Sequence, residues 1–107
     1  MSQQTEHVLQ QFKDCIPLLE VLTDENRQAI IILLAQNELG LNVNTISGNM
    51  NLSRPAVSHH LKVLKQSGFI KSEKKGVENY YVLTVRKPLE QLKSLITTVE
   101  DACNSPQ

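Results

Sequence analysis

The stretch Leu52–Gly68, LSRPAVSHHLKVLKQSG, decides how the rest of the chain is read. Ser53 is a good helix N-cap, and Pro55 falls in the first turn, where its missing N–H costs nothing. Gly68 stops the helix, because glycine accepts the left-handed conformation that closes a helix C-terminus. On a wheel of about 100° per residue the intervening residues divide into two faces. Ala56, Val57, His60, Leu61, Val63 and Leu64 fall on one side; Arg54, Pro55, Ser58, His59, Lys62, Lys65 and Gln66 fall on the other. Any surface helix has a polar face. This one holds three cations, hydrogen-bonding side chains and no acid. Such a face suits the major groove of DNA, where Arg, Lys and Ser meet base edges and phosphates. The candidate contacts on it are Ser53, Arg54, Pro55, Ser58, His59, Lys62 and Lys65. His60 sits in the middle of the apolar face and is expected to be a buried structural histidine. His59 is the histidine available to a phosphate or base.

Working outward, Asn44 or Thr45 starts a short helix through Met50, and Asn51 and Leu52 make the turn into the next. Two helices joined so tightly form a helix-turn-helix. Downstream, Phe69–Lys74 and Asn79–Thr84 read as strands joined across Lys75-Gly76-Val77-Glu78 in a hairpin. Pro88 opens a last helix, in which Leu89, Leu92, Ile96, Val99 and Cys103 are spaced 3, 4, 3, 4. That a/d seam suits pairing with another helix. Upstream, Thr23 or Asp24 caps a helix to about Gln36 that contains AIIILLA. Being apolar on nearly all sides, it is expected to be the central buried element. The segment from Glu38 to Val43 is a loop with a short strand at Leu41–Val43. Thr5 to Cys15 is helical, with Val8, Phe12, Cys15 and Leu19 in one stripe. Pro17 is expected to kink this helix or to start a second, short one through Leu22. Residues 104–107 are expected to fray. The fold class is therefore mainly α with a small β-hairpin, in one domain over residues 1–107. Its parts are N-terminal helices over 5–22, core helices over 24–67, a hairpin over 69–84 and a C-terminal helix over 88–103.

Composition narrows the function. The 107 residues carry a formal net charge of zero, which hides an asymmetry. Between Ser53 and Lys87 there are eight bases (54, 62, 65, 71, 74, 75, 86, 87) and two acids (Glu73, Glu78), a balance of +6. The rest holds three bases (Lys13, Arg27, Lys93) and nine acids, a balance of −6. Nucleic-acid binding needs a basic face rather than a basic whole. Lys74 and Lys75, at the hairpin, join the candidate phosphate contacts. The competing use of this surface is a protein-interaction module, but protein interfaces are usually depleted of lysine. An enzyme is poorly supported: there are three histidines, no phosphate-cradling glycine loop and no nucleophile-elbow serine. No apolar run reaches the length of a membrane span. The N-terminus MSQQTEHVLQ lacks the basic and apolar regions of a signal peptide. Two cysteines 88 positions apart do not form a secreted disulfide framework. Cytoplasm is the expected location, and no cofactor is implied.

The same central stretch carries a resemblance. S-x-x-x-V-S-x-H-L-K-V-L-K-x-S-G-F-I, from Ser53 to Ile70, is similar to the recognition helix of the ArsR/SmtB family of bacterial winged-helix repressors. L-T-D-E-N-R, Leu22 to Arg27, resembles that family's L-x-D-P-T-R entry to its second helix. Gly76 with Tyr80, Tyr81 and Leu83 resembles its wing, G-x-x-x-Y-Y-x-L. Three motifs in register over Leu18–Leu83 are far more specific than any one of them. The resemblance implies a winged helix-turn-helix repressor, homodimeric through its first and last helices, with Phe12, Leu92, Ile96 and Val99 at the interface. Its two recognition helices would then meet half-sites of double-stranded DNA in an inverted-repeat operator.

Three departures matter. The soft-metal members resemble E-L-C-V-C at the third helix, and those cysteines fall here on Asn42 and Asn44 of E-L-G-L-N-V-N. Neutral amides are poor ligands for soft cations. The Asp and His pairs of the C-terminal-helix metal site are also missing, since no histidine follows His60, so no metal site is expected. Many relatives have Gln-Ser or Gln-Pro where this chain has Arg54-Pro55, and an arginine where it has Val77. The operator sequence therefore does not carry over. Finally, Cys15 and Cys103 lie on the first and last helices. They read first as small hydrophobes packed in an interface. The alternative is a thiol switch, in which a disulfide within or between subunits misaligns the recognition helices.

Overall fold

The computed structural model describes residues 2–104, so of the segment expected to fray, residues 105–107 lie outside the described residues. It contains α1 (Gln3–Val21), α2 (Glu25–Ala35), α3 (Val43–Met50), α4 (Arg54–Gln66), β1 (Ile70–Lys75), β2 (Glu78–Leu83) and α5 (Arg86–Asn104). Each of the first four helices starts at a side-chain cap that accepts a backbone N–H: Ser2, Asp24, Asn42 and Ser53. These short polar side chains satisfy donors that the first helical turn leaves open. The α3–α4 turn is made by Asn51 at φ 55° and ψ 36°. Asn tolerates this left-handed region better than most residues. Ser47 donates to the Leu52 carbonyl at 2.6 Å and ties the turn to the helix before it.

The core lies where α2, α3, α4 and the hairpin meet. Ile30, Leu34, Ile46, Val57, Leu61, Leu64, Phe69 and Ile70 are buried there. α4 ends in a Schellman motif: Gly68 N–H reaches the Lys65 carbonyl and Phe69 N–H the Leu64 carbonyl, at 3.1 and 3.0 Å. Gly68 supplies the positive φ of 82° that this closure needs. β1 and β2 pair antiparallel from Ile70↔Leu83 to Lys75↔Glu78. A two-residue turn, Gly76-Val77, joins them. Gly76 sits at φ 66°, and Val77 is not among the positive-φ residues, as a II′ hairpin requires.

Several elements differ from the sequence reading. α1 runs unbroken through Pro17. Pro17 is exposed, so the Lys13 carbonyl that loses its donor can turn to water. Cys15, Leu18 and Val21 are buried on the inner side and hold the helix in place. α2 is two-faced: Ile30 and Leu34 are buried, whereas Ile32 is exposed. The strand expected at Leu41–Val43 is one bridge, Leu41↔Tyr81, because Asn42 already caps α3. Gly40, at φ 88°, makes that close approach possible; a Cβ there would lie 2.7 Å from Val82 Cγ1. α5 starts at Arg86, before Pro88, and extends to Asn104.

α1 and α5 pack antiparallel, with Gln11 donating to Ser94 Oγ and Cys15 Sγ lying 3.7 Å from the Gln91 carbonyl oxygen. The stripes read from sequence are divided by this packing. On α1 the outward apolar side chains are Leu9, Phe12, Ile16 and Leu19, spaced 3, 4, 3. On α5, Leu92 and Leu95 turn inward, while Leu89 and Ile96 are exposed. Leu92, expected at a subunit interface, instead packs against its own core. The chain measures 58 × 22 × 19 Å.

The α2 cap gives a pH test. The Asp24 carboxyl accepts from Asn26 N–H and Arg27 N–H at 2.8 and 3.1 Å. The hydrogen bond from Arg27 N–H is the largest influence on its pKa; desolvation opposes it, and the lesser contribution of Asn26 N–H helps to hold the pKa below the ordinary 3.8. A carboxylate with a lowered native pKa stabilises the fold fully above its unfolded pKa, and that contribution is lost as pH falls through the native value. Stability should thus decline on acidification below about pH 4. Asp24→Asn keeps a capping oxygen and should flatten this acid limb, measured as urea midpoints from pH 7 to pH 2.5.

Candidate nucleic-acid interface

The polar face of α4 is formed as its sequence predicts. Arg54, Pro55, Ser58, His59, Lys62 and Lys65 are exposed, and Val57, Leu61 and Leu64 are buried beneath them. Ser53, also exposed, uses its hydroxyl as the N-cap, accepting from Ala56 N–H at 3.3 Å. Its hydroxyl hydrogen stays free to donate. No acid interrupts this face. Among the described residues the ion pairs are Arg27–Asp24 and Arg86–Glu90, so Arg54 and the lysines of α4 keep their charges unpaired.

The hairpin stands beside the N-terminus of α4. Asn42, Asn44, Arg54, Val77, Glu78, Asn79 and Tyr81 line a cleft of about 230 Å³ between them. Three tethers from the segment before α3 fix the hairpin. Leu41 and Tyr81 exchange backbone hydrogen bonds of 3.1 and 2.8 Å. Lys75 Nζ donates to the Leu39 carbonyl at 2.8 Å and lies 4.9 Å from the centre of the Tyr80 ring. Asn42 Nδ2 donates to Glu78 Oε2 at 2.9 Å. Lys75 therefore has a structural task that no local pattern signals, with two N–H donors left for a phosphate. Lys74 is exposed and has no such tether.

His60 is half-buried rather than enclosed. Its Nδ1 lies 3.4 Å from Arg27 Nη1. Arg27 is 14% exposed and spends its other nitrogens on the end of α1: Nε donates to the Val21 carbonyl at 2.9 Å and Nη2 to the Glu20 carbonyl at 3.2 Å. One planar guanidinium, with donors fixed in a fork, thus joins α1, α2 and the recognition helix. Sequence reasoning placed Arg27 only as a motif residue. Its partners are backbone carbonyls, which leave no mark in a side-chain pattern.

The two cysteines are not brought together within a subunit. Cys15 is buried against α5 at Gln91, and Cys103 is exposed. Cys103 lies 12 residues beyond Gln91 on α5, about 18 Å farther along at 1.5 Å per residue. A disulfide needs Cα atoms within about 7 Å. The intrasubunit form of the thiol switch, raised as part of the alternative reading, is corrected accordingly. A bridge between subunits would first require Cys15 to leave its packed position. Among the described residues, no group of three or more His, Cys, Asp or Glu side chains gathers in metal-binding geometry.

Comparison with known proteins agrees with this arrangement. A family model described as "bacterial regulatory protein, arsR family" matches residues 24–72, from the α2 cap into the first half of β1. The transcriptional repressor SdpR of Bacillus subtilis is 33% identical over 66 residues, covering 62% of this chain and 71% of that protein. A helix-turn-helix transcriptional regulator of Methanocaldococcus jannaschii, itself uncharacterised, is 27% identical over 93 residues, 87% of this chain and 99% of that one. Among solved structures, the homodimeric winged helix-turn-helix DNA-binding domain of a possible ArsR-family regulator from Mycobacterium bovis superposes with a TM-score of 0.65. That match has 19% identity and covers 100% of this chain and 94% of the other.

Proposed function

Because the chain belongs to the arsR family of bacterial regulatory proteins, we propose that it is a transcriptional repressor that reads an inverted-repeat operator as a homodimer. The observation that carries this reading is the acid-free, exposed face of α4 above a fully packed core. In this reading α4 enters the major groove, Arg54, Ser58, His59 and Lys62 meet base edges, and Ser53, Lys65, Lys74 and Lys75 meet phosphates. Pro55 preorganises the first turn. The work is done in the cytoplasm, on double-stranded DNA. Dimerisation uses the outward stripe of Leu9, Phe12, Ile16 and Leu19 on α1 with Leu89, Ile96 and Val99 on α5. A seam of spacing 3, 4, 3 exposed on a helix is a ready pairing surface. No helix among the described residues is long and apolar enough to cross a membrane, so a membrane span is not the reason for that apolar stripe.

The test is binding to duplex DNA across a salt series. A phosphate-neutralising protein loses affinity linearly in log[salt], whereas a protein-interaction module shows no DNA-specific slope. Two variants separate reading from holding. Arg54→Ala should cost about 1–3 kcal/mol on the operator and much less on random DNA. Lys74→Ala should weaken both alike and reduce the salt slope by about one. Equal losses on both DNAs for Arg54→Ala would make it a phosphate contact.

A further inference from the structure

Glu78 is the one acid lining the cleft that Arg54 also lines. Arg54 is exposed, long and unpaired. An exposed guanidinium beside a free carboxylate normally closes into an ion pair, because Arg donors match carboxylate oxygens two at a time. Here one oxygen of the carboxylate is engaged elsewhere, which takes the two-point pairing away. Asn42 Nδ2 donates to Glu78 Oε2 at 2.9 Å, while Asn42 Oδ1 accepts from Thr45 N–H at 2.9 Å. The second bond fixes the amide, since reversing it would forfeit the α3 cap. Only the nitrogen is then left to face the hairpin. Asn42 is therefore oriented by one element and holds the acid of another.

We infer that Asn42 is a positioning residue for DNA reading, which acts by holding Glu78 away from Arg54 so that the guanidinium stays free for the operator. This rests on the function proposed above. The two further tethers, Leu41↔Tyr81 and Lys75 to Leu39, keep the hairpin in place without Asn42. Loss of the Asn42 amide therefore releases the Glu78 side chain and leaves the wing where it is. Released, the carboxylate pairs with Arg54, and DNA must break that pair before Arg54 can bind.

The test is a double-mutant cycle on operator affinity. Asn42→Ser keeps a capping hydroxyl but is too short to hold Glu78. It should weaken operator binding about three- to five-fold, with a much smaller effect on random DNA. In the Glu78→Gln background the same substitution should cost less than about two-fold, because no carboxylate remains to capture Arg54. Circular-dichroism melting of each variant checks that α3 stays capped. An equal loss for Asn42→Ser in both backgrounds overturns the inference and makes Asn42 a cap alone. A wild-type protein that binds operator and random DNA equally overturns the repressor reading itself, and the inference with it.

Discussion

Ile96→Glu should convert the protein to monomers and drop operator affinity by on the order of 10³-fold, to the level of non-specific binding. Ile96 is 58% exposed in the single chain, so the substitution touches little of its own core. Its surroundings explain the size of the effect. Leu89 on the same helix and Leu9, Phe12, Ile16 and Leu19 on α1 leave an apolar face without cover. A pairing that buries this face removes Ile96 from water; a carboxylate there is buried without a partner, which costs several kcal/mol. The proposed operator is read by two recognition helices about one DNA turn apart, and a monomer supplies one. Sedimentation equilibrium reads the mass, and anisotropy titration of labelled operator reads the affinity. A dimer that persists in Ile96→Glu with full affinity would place the subunit contact on another face.

Phe69→Ala should cost about 3–5 kcal/mol of folding stability, a large share of the roughly 5–15 kcal/mol of a typical domain. The ring is 1% exposed and sits just past the end of α4, where its N–H closes the Schellman motif on Leu64. Its carbonyl accepts from Thr84 N–H at 2.9 Å, and Thr84 Oγ1 donates to the Gly68 carbonyl at 2.9 Å. The recognition helix and both strands of the wing thus converge on one residue. Alanine keeps the backbone bonds and removes the ring, leaving a cavity beside Leu64 and Ile70. Urea denaturation followed by circular dichroism measures the loss. A shift below about 1 kcal/mol would mean that the surrounding side chains collapse into the space.

Much of this was legible in the sequence because it rests on local signals. Ser53, Pro55 and Gly68 mark the ends of α4, and the apolar positions between them are the ones buried. Gly76 marks the hairpin turn in the same way. The polar face of α4 follows directly, since a helix fixed at both ends has no freedom in what it presents. The misjudged features depend on what packs alongside. Pro17 signals a break by its own chemistry, yet buried neighbours on the other side of α1 hold the helix together. The seam on α5 puts Leu89, Leu92, Ile96, Val99 and Cys103 on one face, whereas Leu92 packs against the subunit's own core and Ile96 faces away. Cys15 reads as a packed hydrophobe and is buried, but against α5 of its own subunit. Lys75 and Asn42 were weighed one by one as phosphate contact and absent metal ligand. Their actual partners, Leu39 and Glu78, lie 36 residues away from each in sequence.

Arg27 has a consequence for how such a protein can diversify. It holds the end of α1 through the carbonyls of Glu20 and Val21 and so grips main chain, not side chains. The grip is indifferent to which residues those are. The outward positions of α1 can therefore change, and with them, in the proposed dimer, the choice of which subunit pairs with which, while the angle at which the helix meets the rest of the fold is preserved. Two copies of such a gene in one cell could lose their taste for each other by drift at Leu9, Phe12, Ile16 and Leu19 alone, each keeping its operator.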